Sequence, residues 1–241
     1  MNKNTEPGFI RNMFGAIAPK YDFLNRLLSL RQDVYWRRKM IESISVPGQA
    51  RILDAACGTG DVIAEILKQK KDPVAAGMDF SVEMLEIARK KGLKSGSGCG
   101  FHLVAADVLC PPFASESFDA VTIAFGIRNV TARQKALEGF LDLLRPGGTL
   151  AVLELATPSG EMLRRLYLLY FTRILPAVGG MFSKNMRAYR YLPASVLNFP
   201  QPAEFASLMG RAGFEDVMWL PLTAGIATLY TGHKKPALKP L

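Results

Sequence analysis

"RILDAACGTGD", Arg51 to Asp61, decides the fold. Its first half is a short run of aliphatic residues bearing one acid, Asp54, of the kind buried inside a parallel sheet. Its second half spends Gly58 and Gly60 on a turn that lets backbone approach a ligand closely. The chain then continues as "DVIAEILKQK", a helix with Val62, Ile63, Ile66 and Leu67 on one face. A strand that passes through a glycine loop into a helix is where open α/β sheets bind their ligands.

Working outward, the same alternation repeats. "PVAAGMD" reads as a second strand and "SVEMLEIARKK" as a helix capped by Ser81. "FHLVAAD" and "FDAVTIAF" read as the third and fourth strands. "ARQKALEGFLDLL" is a helix that "RPGG" stops, and "TLAVLELA" is the fifth strand. Late in the chain "PAEFASLMGRAG" gives a helix ended by Gly213, followed by the strands "FEDVMWLPL" and "IATLYTGHK". The prediction is one α/β domain over 1–241, Rossmann-like, with a mostly parallel seven-stranded sheet and helices on both faces. Residues 51–157 form its ligand-binding core and 201–235 the C-terminal part of that core. Residues 1–46 carry Phe9, Met13, Ile17, Phe23 and Leu27 at helical spacing and read as a helical cover. Residues 158–200 read as a helical insertion, and Lys90 to Gly100 as a loop.

The formal net charge of +9 favours anionic partners, either nucleic acid or acidic lipid. Cys57, Cys99 and Cys110 form no CxxC pair, as expected of reduced thiols in a cytoplasmic protein. The N-terminal stretch lacks an apolar core of signal-peptide length, so export is not expected. Met162 to Phe182 is the most lipid-like segment, but Arg164, Arg165 and Arg173 interrupt it. Leu163, Leu166, Tyr167, Tyr170, Phe171 and Ile174 share one face of a helix there. Such a basic, amphipathic helix either packs on the domain or lies on a membrane, at its inner face here.

The glycine loop also indicates which nucleotide it would take. The dinucleotide fingerprint GxGxxG requires glycine where this chain has Ile63. Asp61 stands at the helix start, where a pyrophosphate would want bare N–H groups. A carboxylate there suits a cofactor with no phosphate and a positive sulfonium, which is S-adenosylmethionine. Three acids, Asp54, Asp79 and Asp107, sit towards the ends of three successive strands. Asp79 is placed to accept the ribose hydroxyls, and Asp107 the adenine amino group. Taken singly, each acid also reads as a cap or turn residue.

At this point the chain resembles the class I S-adenosylmethionine-dependent methyltransferases. More narrowly it resembles the ubiquinone/menaquinone biosynthesis C-methyltransferases. The resemblance rests on "MFGAIAPKYDFLNRLLSLRQDVYWRR", "FGIRNV", "LRPGGTLAVLELATP", "YRYLPASVLNFP" and "LTAGIATLYTGHK", and spans nearly the whole chain. It implies cofactor contacts at Thr59, Asp79, Asp107 and Val108. General methyltransferases usually have glycine at the position of Ala56, but this family often has alanine. Ala124 replaces a frequent serine, leaving only backbone as a contact.

The resemblance further implies methylation of a ring carbon of a polyprenylated quinol, either demethylmenaquinol or the benzoquinol of ubiquinone synthesis. Its partner would be that quinol, to which the net charge and the amphipathic stretch add transient contact with an anionic membrane surface; a homodimer is a further partner to test. Ring carbon is a poor nucleophile until its hydroxyl ionises, and a phenol titrates near pH 10. Help of roughly 3 units, about 4 kcal/mol, is needed at neutral pH. Arg128 at the mouth of the fourth strand is the candidate donor of positive charge. Asn129 is the candidate for orienting a water or the quinol oxygen, and Tyr21 a candidate base, with Asp22 beside it. Arg128 reads alternatively as a surface turn. No metal is expected, and His102, His233 and Cys57 read as structural residues.

Two rival functions are open. The charge suits an RNA methyltransferase, but "AFGIRN" stands where amino-group methylases carry Asn/Asp-Pro-Pro-Phe/Tyr, and nucleic acid is not the expected partner. A non-catalytic cofactor-binding subunit is the other.

Overall fold

The computed structural model describes residues 7–94, 101–158, 160–174 and 186–237. Two helices, α1 (Pro7–Leu28) and α2 (Gln32–Glu42), precede the first strand. The core then runs β1 (Arg51–Ala55), α3 (Asp61–Gln69), β2 (Val74–Asp79), α4 (Val82–Lys94), β3 (Phe101–Ala105), β4 (Phe118–Ala124), α5 (Arg133–Leu143) and β5 (Leu144–Leu155). Next come α6 (Glu161–Leu169), which widens into a π-helical turn over Tyr170–Ile174, and α7 (Met186–Leu197). Finally α8 (Pro202–Arg211) leads into β6 (Glu215–Leu222) and β7 (Ala227–His233).

The seven strands order as β3-β2-β1-β4-β5-β7-β6. β7 is antiparallel to β5 and β6, and the remaining pairs are parallel. The expected fold is therefore present. β1 sits between β2 and β4, so the chain turns from building the sheet one way to building it the other. The crevice above the C-terminal ends of β1 and β4 follows from that switch.

Side chains along a strand alternate between faces, and two apolar cores result. Ile52, Ala120 and Leu153 point to one face, where Trp36, Ile41, Ile63 and Ile66 cover them. Leu53, Val121 and Val152 point to the other, under Leu137, Phe140, Phe205 and Tyr230. A smaller cluster of Leu24, Tyr167, Phe171 and Val196 ties α1, α6 and α7 together. The insertion thus closes against the N-terminal cover, above the crevice.

Three boundaries differ from expectation. β3 ends at Ala105, two residues before Asp107. α4 continues to Lys94, through part of the stretch read as a loop; residues 95–100, with Cys99, lie outside the described residues. β5 starts at Leu144 rather than at "TLAVLELA", with "RPGG" as its irregular opening. Its glycines join the sheet because Gly147 donates to the Lys234 carbonyl at 3.0 Å and Lys234 donates to Gly148 at 2.9 Å.

Candidate active site

The glycine loop is held from below by Asp79. One carboxylate oxygen accepts the Gly58 N–H at 2.8 Å and the other accepts the Ser81 N–H at 2.9 Å. Burial pushes the Asp79 carboxyl up, while these backbone donors pull it back. Gly58 has φ +53 and open space where a side chain would begin. Gly60 follows at φ +81, with Ala88 of α4 packed 3.1 Å from the place of its missing Cβ. Ala56 adopts φ +53 without being glycine, at a cost of about 1–2 kcal/mol. Across the crevice, a Cβ on Gly126 would meet the Ala56 Cβ at 2.8 Å. The two strand ends approach as closely as one methyl allows.

Asp61 plays a different part from the one expected. Arg26 Nη2 reaches it at 2.9 Å, Lys91 Nζ at 2.8 Å and Arg37 Nη1 at 3.6 Å. Burial would raise its carboxyl, but Arg37, Lys91 and Arg26 together outweigh that and hold it low. Arg26 and Arg37 also pair with Asp33, and Lys91 with Asp22. Thr59 donates to Asp22 at 2.6 Å and accepts from Lys91 at 3.0 Å. The Asp61 charge clamps α1, α2 and α4 over the glycine loop, and its carboxylate also borders the small chamber beside Asp54. Thr59, expected at the cofactor, is buried in this clamp.

Asp54 lies one residue inside the end of β1 and is fully buried. Thr122 donates to one of its oxygens at 2.8 Å, and the other has no partner among the described residues. Burial pushes its carboxyl up to about 8, against the pull of Thr122 and Arg37. It borders a small chamber of about 30 Å³ shared with Tyr21, Arg37, Thr59 and Asp61. A buried unpaired carboxylate oxygen is costly, and a cation entering the chamber would satisfy it. The amino group of S-adenosylmethionine is such a cation. On the adenosyl side a cleft of about 110 Å³ is walled by Asp79, Phe80, Asp107, Val108, Ala124 and Asn129. Asp107 is exposed there, one oxygen accepting the Leu109 N–H at 2.9 Å. These residues fit the cofactor.

A third cavity, about 490 Å³, opens beside these two. Leu28 and Leu30 from the α1–α2 region, Leu163, Tyr167 and Phe171 from the insertion, and Arg128 all line it. Tyr21 borders all three spaces, and Phe125 borders both the adenosyl cleft and the large cavity. Phe125 holds φ +58, an outlier for a bulky side chain. Its ring sits 6.1 Å from Trp36 and 5.5 Å from the Arg37 guanidinium, and its N–H reaches Leu153 at 2.7 Å. The surroundings over-determine that conformation, as they do at functional sites.

Arg128 and Asn129 form a 3₁₀ turn, Ile127–Asn129, just past β4, and they face different spaces. The Asn129 side chain lines the adenosyl cleft and accepts the Tyr191 hydroxyl at 2.9 Å. It is engaged away from the cavity where a quinol oxygen was expected. Arg128 is no surface turn: its side chain is 6% exposed and pairs with the wholly buried Glu154 at 2.7 Å. Its Nη1 also donates to the Phe125 carbonyl, and its backbone N–H reaches the second Glu154 oxygen at 3.2 Å. Burial works against its charge, and Glu154, then Tyr21 and Tyr191, restore it.

Glu154, Arg37 and Phe125 were missed in the sequence. Glu154 left a signal, one acid inside the apolar run "TLAVLELA", which demands a buried cation partner. Phe125 left none, because its ring contacts come from residues distant in the chain, and the i,i+4 pair of Arg37 with Asp33 gave no hint of its reach to Asp61. His102 is exposed on β3 rather than satisfied, whereas His233 shares a hydrogen bond with Thr149 at 3.1 Å.

Comparison with known proteins agrees with this fold. Among solved structures, a SAM-dependent methyltransferase from Thermotoga maritima superposes with a TM-score of 0.64 at 20% identity, covering 94% of this chain and 100% of that one. Phosphoethanolamine N-methyltransferase 2 of Haemonchus contortus gives 0.60 at 14%, over 89% and 59%. At these identities they speak for the fold alone. A ubiquinone/menaquinone biosynthesis C-methyltransferase of Geobacter sulfurreducens is 47% identical over 97% of this chain and 92% of its own. A demethylmenaquinone methyltransferase of Thermus thermophilus is 43% identical over 92% of this chain and 100% of its own. The family model described as ubiE/COQ5 methyltransferase matches residues 1–234, and the chain belongs to that family.

Proposed function

We propose that this S-adenosylmethionine-dependent enzyme methylates a ring carbon of a polyprenylated quinol, with demethylmenaquinol as substrate. One observation carries the reading: the large, chiefly apolar cavity meets the cofactor spaces at Tyr21 and Phe125. A prenyl tail needs apolar walls of that extent, and the reacting ring must be held at the cofactor end, where S-adenosylmethionine supplies an electrophilic methyl group. Arg128 borders the cavity, and Tyr21 stands at the junction. The test is to offer purified protein S-adenosylmethionine with short-chain demethylmenaquinol or its demethyl benzoquinol counterpart. Methylated naphthoquinol in excess supports the reading; methylated benzoquinol alone would move it to ubiquinone synthesis, and neither product would end it.

The cavity mouth supports a second element of the proposal, docking on an anionic membrane surface. No helix among the described residues is long and apolar enough to cross a membrane. The helical face singled out by periodicity turns inward, since Tyr167 and Phe171 are buried. Leu166, on the edge of that face, stays in solvent at 59%, and with Met162 at 78% and Leu169 at 52% makes one exposed helical stripe on α6. Leu30 and Leu166 also line the cavity, and Arg31, Arg164, Arg165 and Arg173 are exposed around them. A lipid-borne substrate would enter where apolar and basic residues converge.

A further inference from the structure

Asn129, expected to orient a water or a quinol oxygen, has the two ends of its amide committed differently. Its Oδ1 accepts the Tyr191 hydroxyl at 2.9 Å. Its amide nitrogen makes no hydrogen bond among the described residues, yet it is not one of the sealed, unpartnered atoms. That nitrogen is therefore open, on a residue that borders the adenosyl cleft. The backbone beneath it is fixed: the Asn129 N–H donates to the Gly126 carbonyl at 3.0 Å, and Arg133 Nη2 donates to the Arg128 carbonyl at 2.9 Å. The terminal torsion of an asparagine lies in a broad well, so the Tyr191 hydroxyl decides where the amide points.

Tyr191 is suited to donating. Burial holds its hydroxyl above the ordinary range against the pull of Arg128 and Arg133, so it is protonated at neutral pH. It comes from α7, 62 residues further along the chain. The next residue, Leu192, lines the large cavity, and Val196 belongs to the cluster with Leu24, Tyr167 and Phe171. A helix anchored on the insertion and the cover thus sends one hydroxyl to the cofactor side. The acids of that cleft, Asp79 and Asp107, can only accept when ionised. An adenosyl group offers acceptors of its own, in its purine ring nitrogens and ribose oxygens, and these call for a donor. With Oδ1 taken by Tyr191, Asn129 presents N–H and not C=O.

We infer that Tyr191 is a positioning residue for the cofactor: by holding Oδ1 of Asn129 it turns the amide N–H into the cleft as a donor to the adenosyl group. The competing explanation is that the bond only pins α7 to the turn after β4, in which case the amide's orientation is immaterial to binding. The inference concerns S-adenosylmethionine and does not depend on which quinol is methylated. It makes a residue of the helical insertion, whose neighbour walls the large cavity, part of the cofactor's support.

Calorimetry with S-adenosylhomocysteine tests it. Tyr191→Phe keeps the ring and removes the hydroxyl; affinity should fall about 3- to 10-fold, as for loss of one neutral hydrogen bond. Asn129→Ala should lose a similar factor. Adding Tyr191→Phe to Asn129→Ala should cost nothing more, because the two residues act as one unit. Asn129→Asp retains the oxygen that Tyr191 bonds but replaces the donor by an acceptor, so it should weaken binding at least as much as Asn129→Ala. Methylthioadenosine, which keeps the adenosyl group and lacks the amino acid, should show the same ratios. The inference is overturned if Tyr191→Phe binds within about twofold of wild type, the precision of such a comparison. It is equally overturned if the loss is as large in the Asn129→Ala background as alone, which marks a packing role. Wild-type affinity in Asn129→Asp, or a loss that spares methylthioadenosine, would overturn it as well.

Discussion

Glu154 grips Arg128 at two points, accepting its Nη1 at 2.7 Å and its backbone N–H at 3.2 Å. The strand β5 thereby fixes both the turn after β4 and the side chain that leaves it. Removing water from such a pair costs several kcal/mol for each ion. A fold that needed only stability would fill the site with apolar groups at less cost. The pair is better understood as holding a guanidinium edge at the wall of the large cavity.

Arg128→Ala should therefore leave cofactor affinity nearly intact and cut turnover by about 100- to 1000-fold, the usual effect of losing a donor to a developing oxyanion. The loss belongs mainly in kcat. Raising the pH towards the phenol range should restore part of it, because solvent then supplies the ionised ring. Arg128→Lys should recover little, as a point charge on a flexible stem replaces the rigid guanidinium fork that Glu154 and the Phe125 carbonyl hold. Glu154→Gln should lower turnover with a smaller fall in melting temperature than Arg128→Ala, which leaves a carboxylate buried and unpaired. Normal turnover in a folded Arg128→Ala enzyme across about pH 6–9, the range that brackets the shift sought, would falsify this role.

Asp79→Ala tests the cofactor floor. The carboxylate is both the candidate ribose acceptor and the anchor of the Gly58 and Ser81 N–H groups. Affinity for S-adenosylmethionine should drop by at least about 1.5–3 kcal/mol, the value of one hydrogen bond to a charged group. Asp79→Asn should lose less, since its amide oxygen can keep one backbone donor. Calorimetry giving unchanged affinity for the alanine variant would remove Asp79 from the cofactor site.

The contrast between Asp79 and Glu154 shows what was legible in the sequence. Strand alternation, the glycine loop and Asp79 are local patterns, written in residues that are neighbours in the chain, and they placed the sheet and the cofactor cleft. The central strands follow from their apolar runs because each is buried in the sheet, whereas the edge strands β3 and β6 stay largely exposed. The direction of the Leu163–Ile174 stripe was not legible, because periodicity finds a face without saying what it meets. Here the face meets Leu24 of the cover. The partners of Asp61 were not legible for the same reason: its three cations come from residues 26, 37 and 91. Arg128 was located from its motif, but its partner lay in another strand.

Asp54 predicts a pH dependence whose sign can be worked out. Its carboxyl titrates near 8 when buried and empty-handed, against about 3.9 in the unfolded chain. Between those values the folded protein holds a proton that the unfolded chain does not. Stability of the cofactor-free protein attributable to this group should thus be greatest below about pH 4 and decline as pH rises towards 8. A cation placed beside Asp54 favours the carboxylate, so cofactor binding should release a proton. Affinity should rise between about pH 6 and 7.5, by at most tenfold per unit for one proton. Calorimetry in buffers of different ionisation enthalpy reads that proton directly. Asp54→Asn should abolish both slope and release; a flat profile in wild type would place the cofactor's amino group elsewhere.

The membrane prediction separates the two faces of α6. Met162, Leu166 and Leu169 are exposed and make no part of the buried cluster, whereas Tyr167 and Phe171 belong to it. Replacing the three exposed residues by serine should leave the melting temperature almost unchanged, since little apolar area leaves or enters water on folding. Wild-type protein should co-sediment with liposomes more strongly as the fraction of anionic lipid grows, and less as salt is added. The triple variant should lose most of that binding. It should still methylate a short-chain quinol dissolved in detergent, since of the three residues only Leu166 borders the cavity and its side chain is mostly in solvent. With long-chain substrate delivered in vesicles, the same variant should be slow. Equal sedimentation of variant and wild type would show that this stripe is not the lipid contact, and binding indifferent to lipid charge would remove Arg31, Arg164, Arg165 and Arg173 from it.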